Sequence, residues 1–391
     1  MKYRILIVFV LLSVFMANCR KNQPGNQDTK TSKKVFYEPS QFAMGVDLSY
    51  LNQILDLGGT YKDSGQVKNP YLIFKENGAN VARFRLFHNP VWTKEVYGIQ
   101  GKQMYNDYED VKRAISQSKN AGMQVCLDFH YSDTWADPGK QIPPAAWDSL
   151  SLQVLTDSIY NYTIKVLDDL GEAGLMPEFV QVGNEINPGF ILPYGNRWNG
   201  NTISFVSLLN AGIQAVWDAG AKYSLNPKVI LHIAQPENVL NWFDGLAKAG
   251  LKDFDIIGFS YYYIWSDVPL DKIHNYVAQI KKVFQKEVMI METAYPWTTE
   301  NADNYPNIIN DQKLDPNFPA TPEGQYKYLV KLTQEVIDGG GTGLFYWEPG
   351  WITSDMKTQW GQGSAWDCNT FFDFEGNALE SFRFMTKDYH F

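Results

Sequence analysis

The stretch EFVQVGNEIN, Glu178 to Asn187, decides the fold when it is read beside VMIMETAYPW, Val288 to Trp297. Each opens as a short apolar run of the kind that forms a parallel strand buried on both faces, and each run ends in a glutamate, Glu185 or Glu292. The strands of a closed barrel present their C-terminal tips to one mouth, where enzymes of this architecture do their chemistry. The two stretches therefore predict a pair of carboxylates facing one site.

The same signature recurs outward from them. MGVDLSY (Met44 to Tyr50), NVARFRLF (Asn80 to Phe87), MQVCLDFHY (Met123 to Tyr131), KVILHIAQ (Lys228 to Gln235), DIIGFSYYY (Asp255 to Tyr263) and GLFYWEP (Gly343 to Pro349) predict six further strands. Helical spacing fills the intervals. Pro70 to Asn77 reads as a helix stopping at Gly78. A capping box from Asn106 to Glu109 opens a helix that ends at Gly122. Further helices are expected from Leu155 to Leu170, from Phe205 to near Gly220, from Val239 to Ala249, from Ile273 to Phe284 and from Pro322 to Ile337, with a closing one over Leu379 to Met385. Eight strands alternating with helices mean parallel βαβ units, and eight is the number that closes a single (β/α)8 TIM barrel with long βα loops. A doubly wound open sheet fits less well, because polar residues recur at every strand tip instead of at one switch point.

Composition narrows the partners. The 391 residues carry 34 Lys and Arg against 43 Asp and Glu, a formal charge of −9, with no basic block beyond the N-terminus. Nucleic acid is excluded as an expected partner. Aromatics are 15% of the chain, with 12 Trp and 23 Tyr; many belong to the core, and flat rings with a polar edge also suit stacking on sugars. Three cysteines, Cys19, Cys126 and Cys368, make no disulfide framework, and the latter two are expected as free thiols.

The N-terminus reads as an export signal over residues 1–18: Lys2 and Arg4, then the apolar run Ile5 to Phe15. Cys19 follows as in a lipobox, although Asn18 departs from the small residue usual before the cysteine and an ordinary cleavage site competes. Residues 19–40 are polar and predict a flexible tether, leaving 41–391 as the catalytic barrel. The expected place is outside the cytoplasm: an outer-membrane or cell-surface lipoprotein, or the periplasm. Membrane contact would run only through the N-terminal lipid, and a monomer is expected.

The tips supply Asp47, Arg83, Arg85, His88, Asp128, His130, Asn184, Glu185, His232, Gln235, Ser260, Tyr262, Glu292, Trp347 and Glu348. Cleaving a glycosidic bond takes an acid to protonate the leaving oxygen and a second carboxylate to attack the anomeric carbon or activate water. Glu185 and Glu292 fit that need. A lone tip glutamate is as easily a buried ion-pair partner, but two of them with Asn directly before the first are harder to explain so. Asn184 is expected to hold a sugar hydroxyl, Arg85 and Tyr262 to hydrogen-bond Glu292, and apolar or like-charged surroundings to keep Glu185 protonated. Trp347 is expected as the floor under the cleavage point. Asp47, His88, Asp128, His130 and Ser260 complete the candidate substrate-binding set, with Trp135 and Trp351 from the loops, where Trp92, Trp297 and Trp360 are further stacking candidates. The histidines lack metal-ligand spacing, so metal-assisted hydrolysis is not expected.

Strands four and seven ending in NE and E, with Arg on strand two and Trp on strand eight, resemble the clan A retaining glycosidases. Within that clan, GVDLSY, ARFRLFHNP, DFHYSDTWADPGKQ, VQVGNEIN, GFSYYYIW, METAYPW and FYWEPGW are similar to the endo-β-1,4-galactanases of glycoside hydrolase family 53, from Met44 to the C-terminus. The resemblance implies a retaining hydrolase of β-1,4-galactan, the side chain of type I arabinogalactan. Glu185 matches the family's acid/base and Glu292 its nucleophile. The alternatives are another clan A β-glycanase for xylan, mannan or glucan, and a surface glycan-binding lipoprotein without turnover.

Asn301, Asp303, Tyr305 and Asn307 alternate in the loop after strand seven, a spacing that lets a loop wrap its oxygens around Ca2+, Tyr305 through its carbonyl. The family resemblance adds Ser364 and Asp367. Asn301 stands where the family usually has an acid and Tyr305 where it has histidine, so weaker calcium binding is implied.

Overall fold

The structure, a computed structural model, describes residues 42–309 and 314–391. The expected signal over 1–18 and tether over 19–40 lie outside the described residues. Eight parallel strands form a closed barrel: β1 (Ala43–Asp47), β2 (Val81–Leu86), β3 (Gln124–Phe129), β4 (Phe179–Val182), β5 (Lys228–Ala234), β6 (Ile256–Ser260), β7 (Glu287–Glu292) and β8 (Gly343–Tyr346). Closure comes from β1 lying against β8, Ala43 to Val46 beside Gly343 to Tyr346, so the sheet has no edge. The α-helices longer than one turn are α1 (Leu51–Asp56), α2 (Pro70–Glu76), α3 (Tyr108–Ala121), α4 (Leu152–Glu172), α5 (Thr202–Tyr223), α6 (Pro236–Phe243), α7 (Ile273–Phe284) and α8 (Pro322–Asp338).

Side-chain alternation along each strand sorts the core into two layers. On β2, Ala82, Phe84 and Leu86 join the large apolar layer between strands and helices. Val81 faces inward, where with Ala43, Cys126, Phe179, Ile230, Ile256, Met289, Met291 and Phe345 it forms an apolar plug inside the barrel. Gly45 is required there, since a Cβ at that position would meet the Phe345 ring at 2.1 Å. Two residues beyond the plug on β2 to β5 stand Arg83, Asp128, Gln181 and His232, all buried. The barrel is therefore greasy below and polar above, and the polar layer underlies the mouth.

Several boundaries differ from expectation for local reasons. The strand expected to run through Glu185 stops at Val182, because Gly183 (φ 84°) and Glu185 (φ 43°) turn the chain through left-handed backbone. The cap of α3 is one residue later than expected: Asp107 accepts from the Asp110 N–H at 3.1 Å, and Asp110 in turn accepts from the Asn106 N–H at 2.9 Å. The helix expected over Val239 to Ala249 starts earlier, at Pro236, and ends at Phe243. The closing segment is a 3-10 helix over Glu380–Thr386. Helix α1 and a short hairpin pairing Lys62–Asp63 with Gln66–Val67 lie between β1 and α2.

Candidate active site

Glu185 stands on the left-handed turn that ends β4, which aims its side chain across the mouth. Non-glycine residues in that region cost about 1 kcal/mol or more and recur at functional sites. Its Oε1 accepts from the Ser260 hydroxyl at 2.5 Å, and Ser260 is the register partner of Glu292 on the adjoining strand. Two residues past Ser260, the Tyr262 hydroxyl donates to Glu292 Oε2 at 3.0 Å. Both carboxylates thus border the same short stretch at the end of β6, and both line one cavity.

Behind them the cations and amides form one buried polar network. Arg83 Nη1 reaches Asp47 at 2.8 Å and Glu292 Oε1 at 2.8 Å, while Nη2 reaches Asp128 at 2.8 Å and Asn184 Oδ1 at 2.9 Å. The arginine holding Glu292 is therefore Arg83, not the expected Arg85. Arg85 pairs with Glu348 at 2.6 Å, and its guanidinium carbon lies 4.0 Å from the Tyr50 ring centroid and 4.2 Å from that of Trp135. Both arginines point inward, but they stand at different heights in the barrel and so meet different carboxylates. Gln181 donates to Asp128, its amide nitrogen lies 3.1 Å from His232 Nδ1, and His232 Nε2 meets Ser260 Oγ at 2.9 Å. Burial, then the charges of Arg83 and His130, push His232 well below its ordinary value, so it is a neutral imidazole. Asn184 Oδ1 lies at the same 3.1 Å from His232 Nδ1, so this imidazole ties the Asn184 amide on one side to the Ser260 hydroxyl on the other.

The two carboxylates titrate as a pair. Glu185 keeps part of its surface open to the cavity, yet protein surrounds it. Burial raises it to about 8, the charge of Glu292 adds to the rise, and the Ser260 bond opposes it. Burial also lifts Glu292, to about 7, but Arg83 and the Tyr262 hydroxyl oppose that. The first proton to leave therefore leaves Glu292, and the second stays on Glu185.

The cavity, of about 770 Å3, is walled by Tyr50, Trp135, Asn184, Tyr262, Trp347, Trp351, Trp360 and Trp366 beside the two glutamates. Trp347 packs at 4.6 Å on Trp366 and at 5.9 Å on Trp135. Asp47, Arg85, Asp128, His130 and Ser260 lie buried behind this wall. His88 sits to one side, against Trp147 and Tyr162, and Trp92 and Trp297 also lie off the cavity. Sequence reasoning missed Tyr50, Asn187, Asn238, Trp265 and Trp366 as lining residues. Tyr50, directly after the first strand's polar tip, and Asn187, two residues after Glu185, carried a signal. Cys126 and Cys368 are buried free thiols.

The loop residues expected for calcium do come together. Asp303 accepts from the Tyr305 and Ser364 N–H groups and from the Thr353 hydroxyl. Asp367 accepts from the Ala302 N–H at 2.8 Å and from Thr353 at 3.2 Å. Asn307 Nδ2 donates to both Asn301 Oδ1 and Asp367 Oδ1, while Asn307 Oδ1 is buried without a partner. Reversing that amide, a change that leaves its outline intact, gathers three side-chain oxygens around one point, so the donor set fits a hard cation. Among the described residues no cluster of three acidic, His or Cys side chains forms, so such a site rests on two carboxylates and neutral oxygens.

A (β/α)8 barrel that delivers a carboxylate from the end of its fourth and of its seventh strand to one aromatic-walled cavity is the architecture of a barrel glycosidase. Comparison with known proteins narrows this. The profile of glycosyl hydrolase family 53 matches residues 43–385. The arabinogalactan endo-beta-1,4-galactanase of Cellvibrio japonicus is 42% identical over 357 residues, 89% of this chain and 91% of that protein. The GH53 catalytic domain of Ignisphaera aggregans superposes with a TM-score of 0.81 at 33% identity, covering 91% of this chain and 99% of that one. A fungal beta-1,4-galactanase structure gives 0.75 at 29% identity over 89% and 100%. The chain belongs to glycosyl hydrolase family 53.

Proposed function

We infer that the protein is a retaining endo-β-1,4-galactanase that cuts the galactan of type I arabinogalactan into galacto-oligosaccharides. The observation that carries this reading is the pair of carboxylates on one cavity with opposed surroundings, Glu292 against Arg83 and Glu185 against the Ser260 hydroxyl. The substrate follows from the relatives, which are named as galactanases. In the first step a Glu292 oxygen attacks the anomeric carbon while Glu185 gives its proton to the departing glycosidic oxygen, leaving a galactosyl ester. In the second, Glu185 takes a proton from water as the water oxygen displaces Glu292. Asn184 and Trp347 are the groups beside the sugar being cut. Replacing Glu292 or Glu185 with Ala is expected to lower release of reducing sugar from galactan by about 10^3-fold or more. Undiminished release by either variant removes the assignment.

Two further readings complete the proposal. Asn301, Asp303, the Tyr305 carbonyl, Asn307, Ser364 and Asp367 would hold a structural Ca2+ that ties the loop after β7 to the loop after β8. The chain is exported and works as a monomer, held at the membrane by a lipid on Cys19. Metabolic labelling with palmitate should mark the wild-type chain and spare Cys19→Ala; equal labelling rejects the anchor. No described helix is long and apolar enough to cross a membrane.

A further inference from the structure

Beyond the cavity rim, on the side of Glu185, stands an indole that the chemistry above does not use. Trp198 lies in the loop between β4 and α5 and is 48% exposed. A lone exposed apolar side chain is ordinary on a protein surface, but such a side chain is normally free to turn, and this one is fixed. Its Nε1 donates to the Asn187 carbonyl at 3.0 Å and its backbone N–H donates to Asn196 Oδ1 at 2.8 Å. The Arg197 guanidinium carbon lies 4.7 Å from the ring centroid, and that guanidinium is itself held by the carbonyl oxygens of Trp242 and Asp244 at 3.1 and 2.8 Å. The polar edge of the indole is thus turned inward and a cation backs the ring, leaving a rigid flat carbon surface in water. A surface of that kind binds the C–H face of a pyranose with little loss of conformational freedom.

The indole is also continuous with the cavity. Asn187, which receives its Nε1, lines the cavity two residues from Glu185. The Asn187 amide is locked to the tip of β5, donating to the Ala234 carbonyl at 3.0 Å and accepting from the Ala234 N–H at 2.7 Å. Two residues span at most roughly 7 Å, so the platform begins within a few sugar units of the proton donor. Strands β4 and β8 lie across the barrel from each other, which puts Trp198 on the opposite side of the cleavage point from Trp347. The proton donor faces the leaving oxygen, so this is the side along which the departing half of the chain runs.

We propose that Trp198 is a distal sugar-binding platform for the departing part of a β-1,4-galactan chain, outside the cavity. The proposal rests on the reading of Glu185 as proton donor. It is tested with Trp198→Ala and Trp198→Phe on two substrates: long galactan, and an aryl β-galactobioside whose departing side is a phenol with no sugar. Trp198→Ala should raise KM on galactan at least fivefold with kcat within twofold, and leave kcat/KM on the aryl glycoside within twofold of wild type. Trp198→Phe, which keeps a flat ring, should restore most of the KM. An unchanged KM on galactan, or an equal fall on both substrates, overturns the platform. If the wild-type enzyme leaves galactan intact, it is the substrate reading that fails. The same pair of variants on the β-glycan it does cleave then decides on Trp198 by the same fivefold criterion.

Discussion

Two groups of acids lie near the barrel mouth, and they are neutralised in different ways. Asp47, Asp128 and Glu292 share the guanidinium of Arg83, which is rooted two residues above the apolar plug. Asp303 and Asp367, on the loops above, are held by hydroxyl, amide and backbone N–H donors with no cation beside them among the described residues. Burial raises Asp367 above the usual carboxylate range, against its hydrogen bonds. The first cluster carries its counter-charge in the sequence, and so it is complete as folded. The second is short of positive charge, a need that the proposed Ca2+ would meet.

That contrast predicts unequal responses. Arg83→Met should have the largest effect, because it leaves three buried carboxylates without their cation: about 3–5 kcal/mol of stability lost at neutral pH, read as a lower denaturation midpoint, with galactan hydrolysis abolished. A variant as stable as wild type would show that the acids do not depend on that arginine. Chelating calcium should act only on the loop cluster. If Ca2+ at a hundredfold its Kd binds there, its removal costs about 2.7 kcal/mol and lowers Tm, and Asp303→Asn, Asp367→Asn should make Tm indifferent to the chelator. A Tm that ignores both calcium and chelator rejects the cation.

A third response, seen only as a trend with pH, concerns Glu185. A carboxyl whose folded pKa is raised binds its proton more tightly in the native state, so its contribution to stability is lost as pH rises from the unfolded value of about 4.5 through about 8. Glu185→Gln removes that titration. The variant should be more stable than wild type at neutral pH, by a gap absent near pH 4 and widening toward pH 8. A gap constant with pH would mean that Glu185 is not held protonated by the fold.

The clusters also differ in how far the sequence discloses them. Buried parallel strands are near-continuous apolar runs, and the polar residue that ends each run is conspicuous, so the eight strands and both glutamates are legible directly. Depth within the barrel is not. Arg83 and Arg85 share a strand face two residues apart, and only the register of β2 against its neighbours decides which meets Glu292. The proposed calcium loop is half legible, since the alternation from Asn301 to Asn307 is local while Ser364 and Asp367 join it only through the fold. Loop aromatics are least legible of all: nothing in one dimension separates Trp92, whose indole turns inward to the Asp133 carbonyl, from Trp360 on the cavity wall.

The central claim is that Glu292 forms a covalent bond to the sugar and Glu185 does not. Treating the enzyme with a 2-deoxy-2-fluoro-β-galactobioside carrying a good leaving group, then mapping the modified peptide by mass spectrometry, addresses it directly. The account predicts one added fluorogalactobiosyl group, on Glu292 in the peptide containing METAYPW. A label on Glu185, or hydrolysis with inversion and no adduct, would contradict it.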